Sequence, residues 1–215
     1  MVDITAFDEA DVEKYADVLA RTVASVSEGD LIAAAAQLHP IAGEVWTGRL
    51  TSASKTPTGG GERPARARLT NETLRAQVFI RDRFRCTCCG GRAVPRSILV
   101  AIHDLFPDTV PYDAHYARGK IHPVFWALAP EADHVYPHSL GGPNVLENLT
   151  TLHAACNTRK SDSLVTDLSP IEKTHQTSTW NGLVSSYPAL IAAGAGIARP
   201  AYHRKWTRLY AALPA

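Results

Sequence analysis

Two short pairs of residues limit how this chain can fold more than any other feature. Cys86 and Cys89 are separated by two residues, and His153 and Cys156 repeat that spacing 64 residues after Cys89. A turn can present two ligands spaced this way to one ion, and zinc takes four thiolate or imidazole ligands in a tetrahedron. If both pairs hold one structural Zn2+, residues 86 and 156 must meet, and the chain between them must leave and return. Gly90 and Gly91 follow Cys89 and permit the tight turn of a knuckle. Cys88 is a spare thiol whose spacing does not suit that geometry. Free thiols beside an incidental His153 are the alternative, but three of the four cysteines fall within four residues of one another. That clustering suits a metal half-site better than a disulfide framework.

At 215 residues the chain is long enough for one ordinary domain and an appendage. Its apolar and charged fractions, 45% and 20%, are those of a soluble globular protein. It has no run of about 18 apolar residues, so no membrane-spanning helix is expected. The acidic start (Asp3, Asp8, Glu9, Asp11, Glu13) is wrong for a secretory or transit segment, and a cytoplasmic location is the default expectation. Charge is unevenly spread. Residues 1–50 hold nine acids and three bases, whereas residues 51–96 hold ten bases and three acids. A basic middle segment is the footprint of a phosphate-backbone partner, although an Arg-rich solvated surface has the same composition.

The chain divides into a helical region (1–50), a flexible basic linker (51–69), a core (70–165) with an insertion (97–132), and a helical extension (166–215). Val12, Tyr15, Leu19, Val23 and Val26 recur at helical steps, which predicts a helix over 8–28 that stops at Gly29. Asp30 can cap a second helix over 31–38. Three consecutive glycines at 59–61 with Pro57 and Pro64 cannot hold a regular element. Thr70 or Asn71 can cap a helix over 70–82. Ile98–Ile102 is a short apolar run, strand or helix. Pro107, Pro111, Pro123 and Pro130 break the segment repeatedly, and 97–132 as a whole reads as an insertion between two halves of the core. Residues 178–192 and 199–213 read as two further helices.

The stretch from Asp133 to Lys160 carries the chemistry. It holds Asp133-His134, Pro137, Ser139, Gly141-Gly142, Asn148-Leu149, Cys156-Asn157 and Lys160. With the upstream Cys86 and Cys89, this pattern resembles the HNH endonuclease family. Asn148 follows Asp133 by 15 positions and Asn157 follows Asn148 by nine, both in agreement with the family pattern. The resemblance covers 86–160 and leaves both ends of the chain unexplained. His153 stands where the family more often has a cysteine, a swap that keeps a zinc ligand. The segment between Cys89 and Asp133 is longer than in compact members.

The resemblance implies an α+β fold: a ββα-metal core with a structural zinc site, flanked by N-terminal and C-terminal helices. It implies a metal-dependent DNA endonuclease acting in restriction or anti-phage defence, or a phage or mobile-element nicking enzyme. A zinc-knuckle DNA-binding module with decayed catalytic residues is the competing reading, and the complete residue set speaks against it. Within the family pattern His134 is the general base, and Asp133 and Asn157 bind a catalytic Mg2+ or Mn2+ ion. Asn148 pins the loop that positions His134. Phosphodiester hydrolysis needs a proton acceptor for water and a cation at the phosphate, and these residue types supply them. Arg81, Arg83, Arg159 and Lys160 are candidate phosphate contacts. One such site cuts one strand, so a double-strand cut implies a homodimer or two successive nicks.

Overall fold

A computed structural model describes residues 7, 9–48, 69–160 and 179–212. The linker expected over 51–69 lies outside the described residues except for Leu69, as does the chain directly after Lys160. Helix α1 spans Glu9–Ser27 and buries Val12, Tyr15, Leu19, Val23 and Val26 along one face. Gly29, at φ 81°, takes the left-handed conformation that ends it. The Asp30 carboxylate accepts the Ala33 N–H at 2.8 Å and caps α2 (Leu31–Leu38). Asn71 does the same for α3 (Glu72–Arg81), accepting the Leu74 N–H at 3.0 Å.

Residues 97–132 hold the centre of the main core. The apolar run at 98–102 is helical, within α4 (Arg96–Leu105), and Ser97 through Ile102 are all buried. The short α5 (Val124–Ala127) is buried throughout. Together they pack in one cluster with α1, with Leu38 of α2 and with Tyr187 and Leu190 of α7 (Tyr187–Leu190). The segments before and after the linker therefore share a core. His122 belongs to it: Nε2–H donates to the Ile41 carbonyl at 2.8 Å, and Nδ1 accepts the Val124 N–H.

The C-terminal segment closes this core. Past α7 the chain makes a wide turn over Ile191–Ala195, then α8 (Gly196–Ala198) and α9 (Pro200–Ala211). His203 on α9 is buried and bonds to Tyr187 Oη at 2.6 Å and Asp104 Oδ2 at 2.7 Å. It ties α9 to α7 and α4.

Two strands complete an α+β fold. β1 (Pro130–His134) and β2 (Leu149–His153) pair antiparallel, with Pro130 opposite His153 and His134 opposite Leu149. All five residues of β2 are buried because both of its edges are covered. On the edge away from β1, Thr151 N–H donates to Asp82 Oδ2 at 2.8 Å, and Thr151 O accepts the Thr87 N–H at 2.8 Å. Helix α6 (Ala154–Lys160) begins where β2 ends. The Ala154 N–H bonds to the Ala129 carbonyl at 2.8 Å, which fixes the angle between strand and helix.

Leu19 is fully buried in the shared core. Leu19→Ala should cost about 3 kcal/mol through lost burial and a cavity. Denaturant unfolding followed by circular dichroism checks this, and the loss should appear in one transition rather than in an early step confined to α1.

Candidate functional site

The knuckle is a tight reversal between Phe84 and Ala93. Arg83 and Phe84 take left-handed φ values of 53° and 50°, which swing the chain out of α3. Cys86 N–H donates to the Gly91 carbonyl at 2.9 Å and Gly90 N–H to the Cys86 carbonyl at 2.8 Å. A Cβ at Gly91 would stand 2.7 Å from Val12 Cγ1 and 3.2 Å from His153 Cε1, so only glycine lets the three pack.

Cys86, Cys89, His153 and Cys156 come together at the β2–α6 junction. Their four ligand atoms lie within 4.8 Å of one another, and Cys86, His153 and Cys156 are buried. Among the described residues this is the one group of three or more Cys, His, Asp or Glu that could hold a metal. The group can bind zinc, whose tetrahedron separates neighbouring ligand atoms by roughly 3.5–3.8 Å. His153 Nε2–H donates to the Arg92 carbonyl at 3.0 Å, which turns Nδ1 toward Cys89 Sγ, 3.3 Å away.

Burial and mutual hydrogen bonds shift the groups of this pocket in opposite directions. Burial raises the Cys86 thiol, but hydrogen bonds from Cys156 and Cys89 and the His153 charge outweigh it and hold Cys86 well below the usual thiol range. Burial lowers His153, yet the Cys86 thiolate and its hydrogen bond push the imidazole up to about 10. Cys156 is raised, first by its hydrogen bond to Cys86. Cys88 is lowered, chiefly by a hydrogen bond to Cys156, so the spare thiol also borders the group.

The second group lies at the other end of the hairpin. His134 is the last residue of β1 and is 7% exposed. Its Nε2 lies 2.8 Å from Asn144 Oδ1, and its ring sits 5.3 Å from the His138 ring. Asn144 was not among the residues singled out from sequence. A Pro-Asn step after two glycines reads only as turn chemistry. Asn148 closes the loop between the strands. Its Oδ1 accepts the Tyr136 N–H at 2.9 Å, and its Nδ2 donates to the carbonyls of Tyr136 at 3.2 Å and Pro143 at 3.0 Å. Asp133 points toward α6, with Oδ2 2.6 Å from Lys160 Nζ. Asn157 is half-buried on the same helix.

The four candidate phosphate contacts divide. Arg83 and Arg159 are exposed, and Arg159 lines a small cleft beside Cys89, His153 and Cys156. Arg81 is committed internally. It donates to the carbonyls of Leu146 and Leu149, both at 2.6 Å, and pairs with Asp82 at 2.8 Å. These bonds dock α3 onto the hairpin, and a phosphate would have to break them. Lys160 is also spent inside, only 1% exposed and paired with Asp133.

An antiparallel hairpin and a helix directly behind it form a ββα unit, with a Cys3His group that could hold a metal at their junction. Residues 123–163 match the family model described as HNH endonuclease, and this segment is an HNH endonuclease domain. No curated protein and no solved structure matches the chain. No helix among the described residues is long and apolar enough to cross a membrane.

Gly142 has no room for a side chain, since a Cβ would stand 2.0 Å from the Tyr136 carbonyl and 2.9 Å from Asn148 Nδ2. Gly142→Ala should pry the loop from Asn148. Amide exchange at Tyr136 should speed up by about tenfold or more, with core amides unchanged.

Proposed function

We propose that the chain is a metal-dependent DNA endonuclease that hydrolyses phosphodiester bonds with His134 as general base. One observation carries the reading: the His134 ring is buried at the end of β1 with Nε2 on the Asn144 amide oxygen. An amide oxygen only accepts, so Nε2 keeps the proton and Nδ1 keeps its lone pair. That lone pair takes the proton of an attacking water. Asn144 is thus a positioning residue that sets the tautomer. Asn148 keeps the loop closed above it.

Asp133 and Asn157 would hold one divalent ion, Mg2+ or Mn2+, through hard oxygen donors. Asp133 fits that role as a carboxylate near the end of β1 that faces α6, with Oδ2 buried and already drawing one cation, the Lys160 ammonium, to 2.6 Å. When bound, such an ion stabilises charge growing on the phosphate and on the leaving 3′ oxygen. Arg83 and Arg159 would grip the DNA backbone through bidentate, sequence-independent contacts. Zinc is the ion we assign to Cys86, Cys89, His153 and Cys156, because three thiols and an imidazole are its preferred tetrahedral set.

Cleavage of supercoiled plasmid in Mg2+ or Mn2+ tests the mechanism, with a nicked circle as first product. His134→Ala should lose about 10²–10⁴-fold in rate while keeping its circular dichroism spectrum and DNA affinity. Asn144→Ala should fall by about tenfold only, because the base survives but its orientation is lost. Undiminished cutting by His134→Ala would remove His134 from its role.

Metal analysis should find about one tightly held zinc per chain. Cys156→Ser should lose the zinc and melt at a lower temperature. A zinc-free protein that stays folded while Cys86 and Cys156 react freely with a thiol reagent would overturn the staple.

A further inference from the structure

We propose that Lys160 is a built-in counter-cation, which occupies Asp133 until DNA arrives and so couples metal binding to DNA binding. The inference rests on the metal role proposed for Asp133. Lys160 ends α6, and its side chain is 1% exposed, with Nζ 2.6 Å from Asp133 Oδ2. A buried ammonium needs a counter-charge, and among the described residues Asp133 is its one ion-pair partner. The carboxylate therefore satisfies a lysine rather than standing free for a metal.

Helix geometry puts this pair at the proposed metal site. Lys160 lies three residues after Asn157 and four after Cys156 on α6, so all three share one helix face. Because Lys160 reaches Asp133 from that face, Asn157 is turned toward β1 as well. A divalent ion held between Asp133 and Asn157 would meet the ammonium at contact distance, and like charges there repel strongly. One cation has to leave.

A DNA phosphate changes the balance. It offers Lys160 a new anionic partner at the moment when the divalent ion needs Asp133. The free protein then binds the ion weakly, and the DNA complex binds it well. By linkage the reverse also holds, with metal strengthening the hold on DNA. A fixed structural salt bridge makes the opposite prediction, since a metal that never contests Asp133 is indifferent to Lys160.

Calorimetric titration of Mn2+ into the zinc-loaded, DNA-free protein separates the two. Lys160→Met and Lys160→Gln remove the competing charge and should bind Mn2+ about tenfold more tightly than wild type. Mn2+ should also raise their melting temperatures more than it raises that of wild type. Lys160→Arg keeps the charge and should keep wild-type affinity. Asp133→Asn should abolish binding in every background. Neutral variants with unchanged or weaker Mn2+ binding that still depends on Asp133 would overturn the counter-cation and leave the metal site standing. No Asp133-dependent Mn2+ binding in any protein would overturn the metal site, and the inference with it. If the neutral variants do not fold, Mn2+ binding to His134→Ala with and without a duplex decides, because that variant cuts DNA at least about a hundredfold more slowly. Affinity should rise about tenfold on adding the duplex, and an unchanged value refutes the coupling.

Discussion

The buried imidazole of His153 sits where strand, helix and knuckle meet, and the rest of the site depends on how its charge is handled. It ends β2 and immediately precedes α6. Around it lie the three thiols of Cys86, Cys89 and Cys156. Any thiolate or imidazolium here would stand out of water, since Cys86, His153 and Cys156 are all buried. Taking such charges out of water costs several kcal/mol per ion before their attraction returns part of it. A metal ion removes the conflict by replacing protons with bonds. With the zinc proposed above in place, folding of the hairpin–helix unit and metal binding would be one equilibrium. That linkage would let a hairpin with two five-residue strands, marginal alone, hold His134 and Asp133 in fixed positions.

The helices outside the hairpin–helix unit act on the same point through Arg92. Its backbone carbonyl accepts the His153 Nε2–H, while its guanidinium pairs with Glu13 and Asp17 on α1. That guanidinium also stacks 4.9 Å from the Trp180 ring, and Trp180 Nε1 donates to the Ala93 carbonyl. Val12 of α1 presses on Gly91 from the same side. The first helix and the segment before α7 thus clamp the knuckle from outside. Their own footing is the core built by α4 and α5. Orientation of one imidazole is in this sense a property of most of the described chain.

Much of this was legible in the sequence. Period and caps gave α1, α2 and α3, because their apolar faces are one-sided and Asp30 and Asn71 are strong cap residues. The two ligand pairs declared themselves by spacing. Ile98–Ile102 did not, because a helix buried on all sides loses the periodicity that separates helix from strand. Arg81 read as a phosphate contact by its place in a basic run. Its true partners, the carbonyls of Leu146 and Leu149, are 65 and 68 residues away in sequence. No local pattern encodes such a contact. Asn144 was hidden for a related reason: what matters is that a loop folds it back onto His134, ten residues earlier. Lys160 left a usable clue, since its offsets from Asn157 and Cys156 already placed it on the inward face of α6.

That face makes α6 more than a connector. The helix has seven residues, so it is about 10 Å long. The Cys3His group fixes its first turn through Cys156, and the ion pair with Asp133 fixes its last residue. The two anchors differ in kind. With the proposed zinc bound, thiolate–metal bonds at a closed tetrahedral site would have no reason to exchange. An ammonium on a flexible four-carbon stem can leave its carboxylate whenever a better anion is at hand. The backbone can therefore stay rigid while the charge beside Asp133 changes, which separates the precision the proposed role of His134 requires from the adaptability the proposed exchange at Asp133 demands.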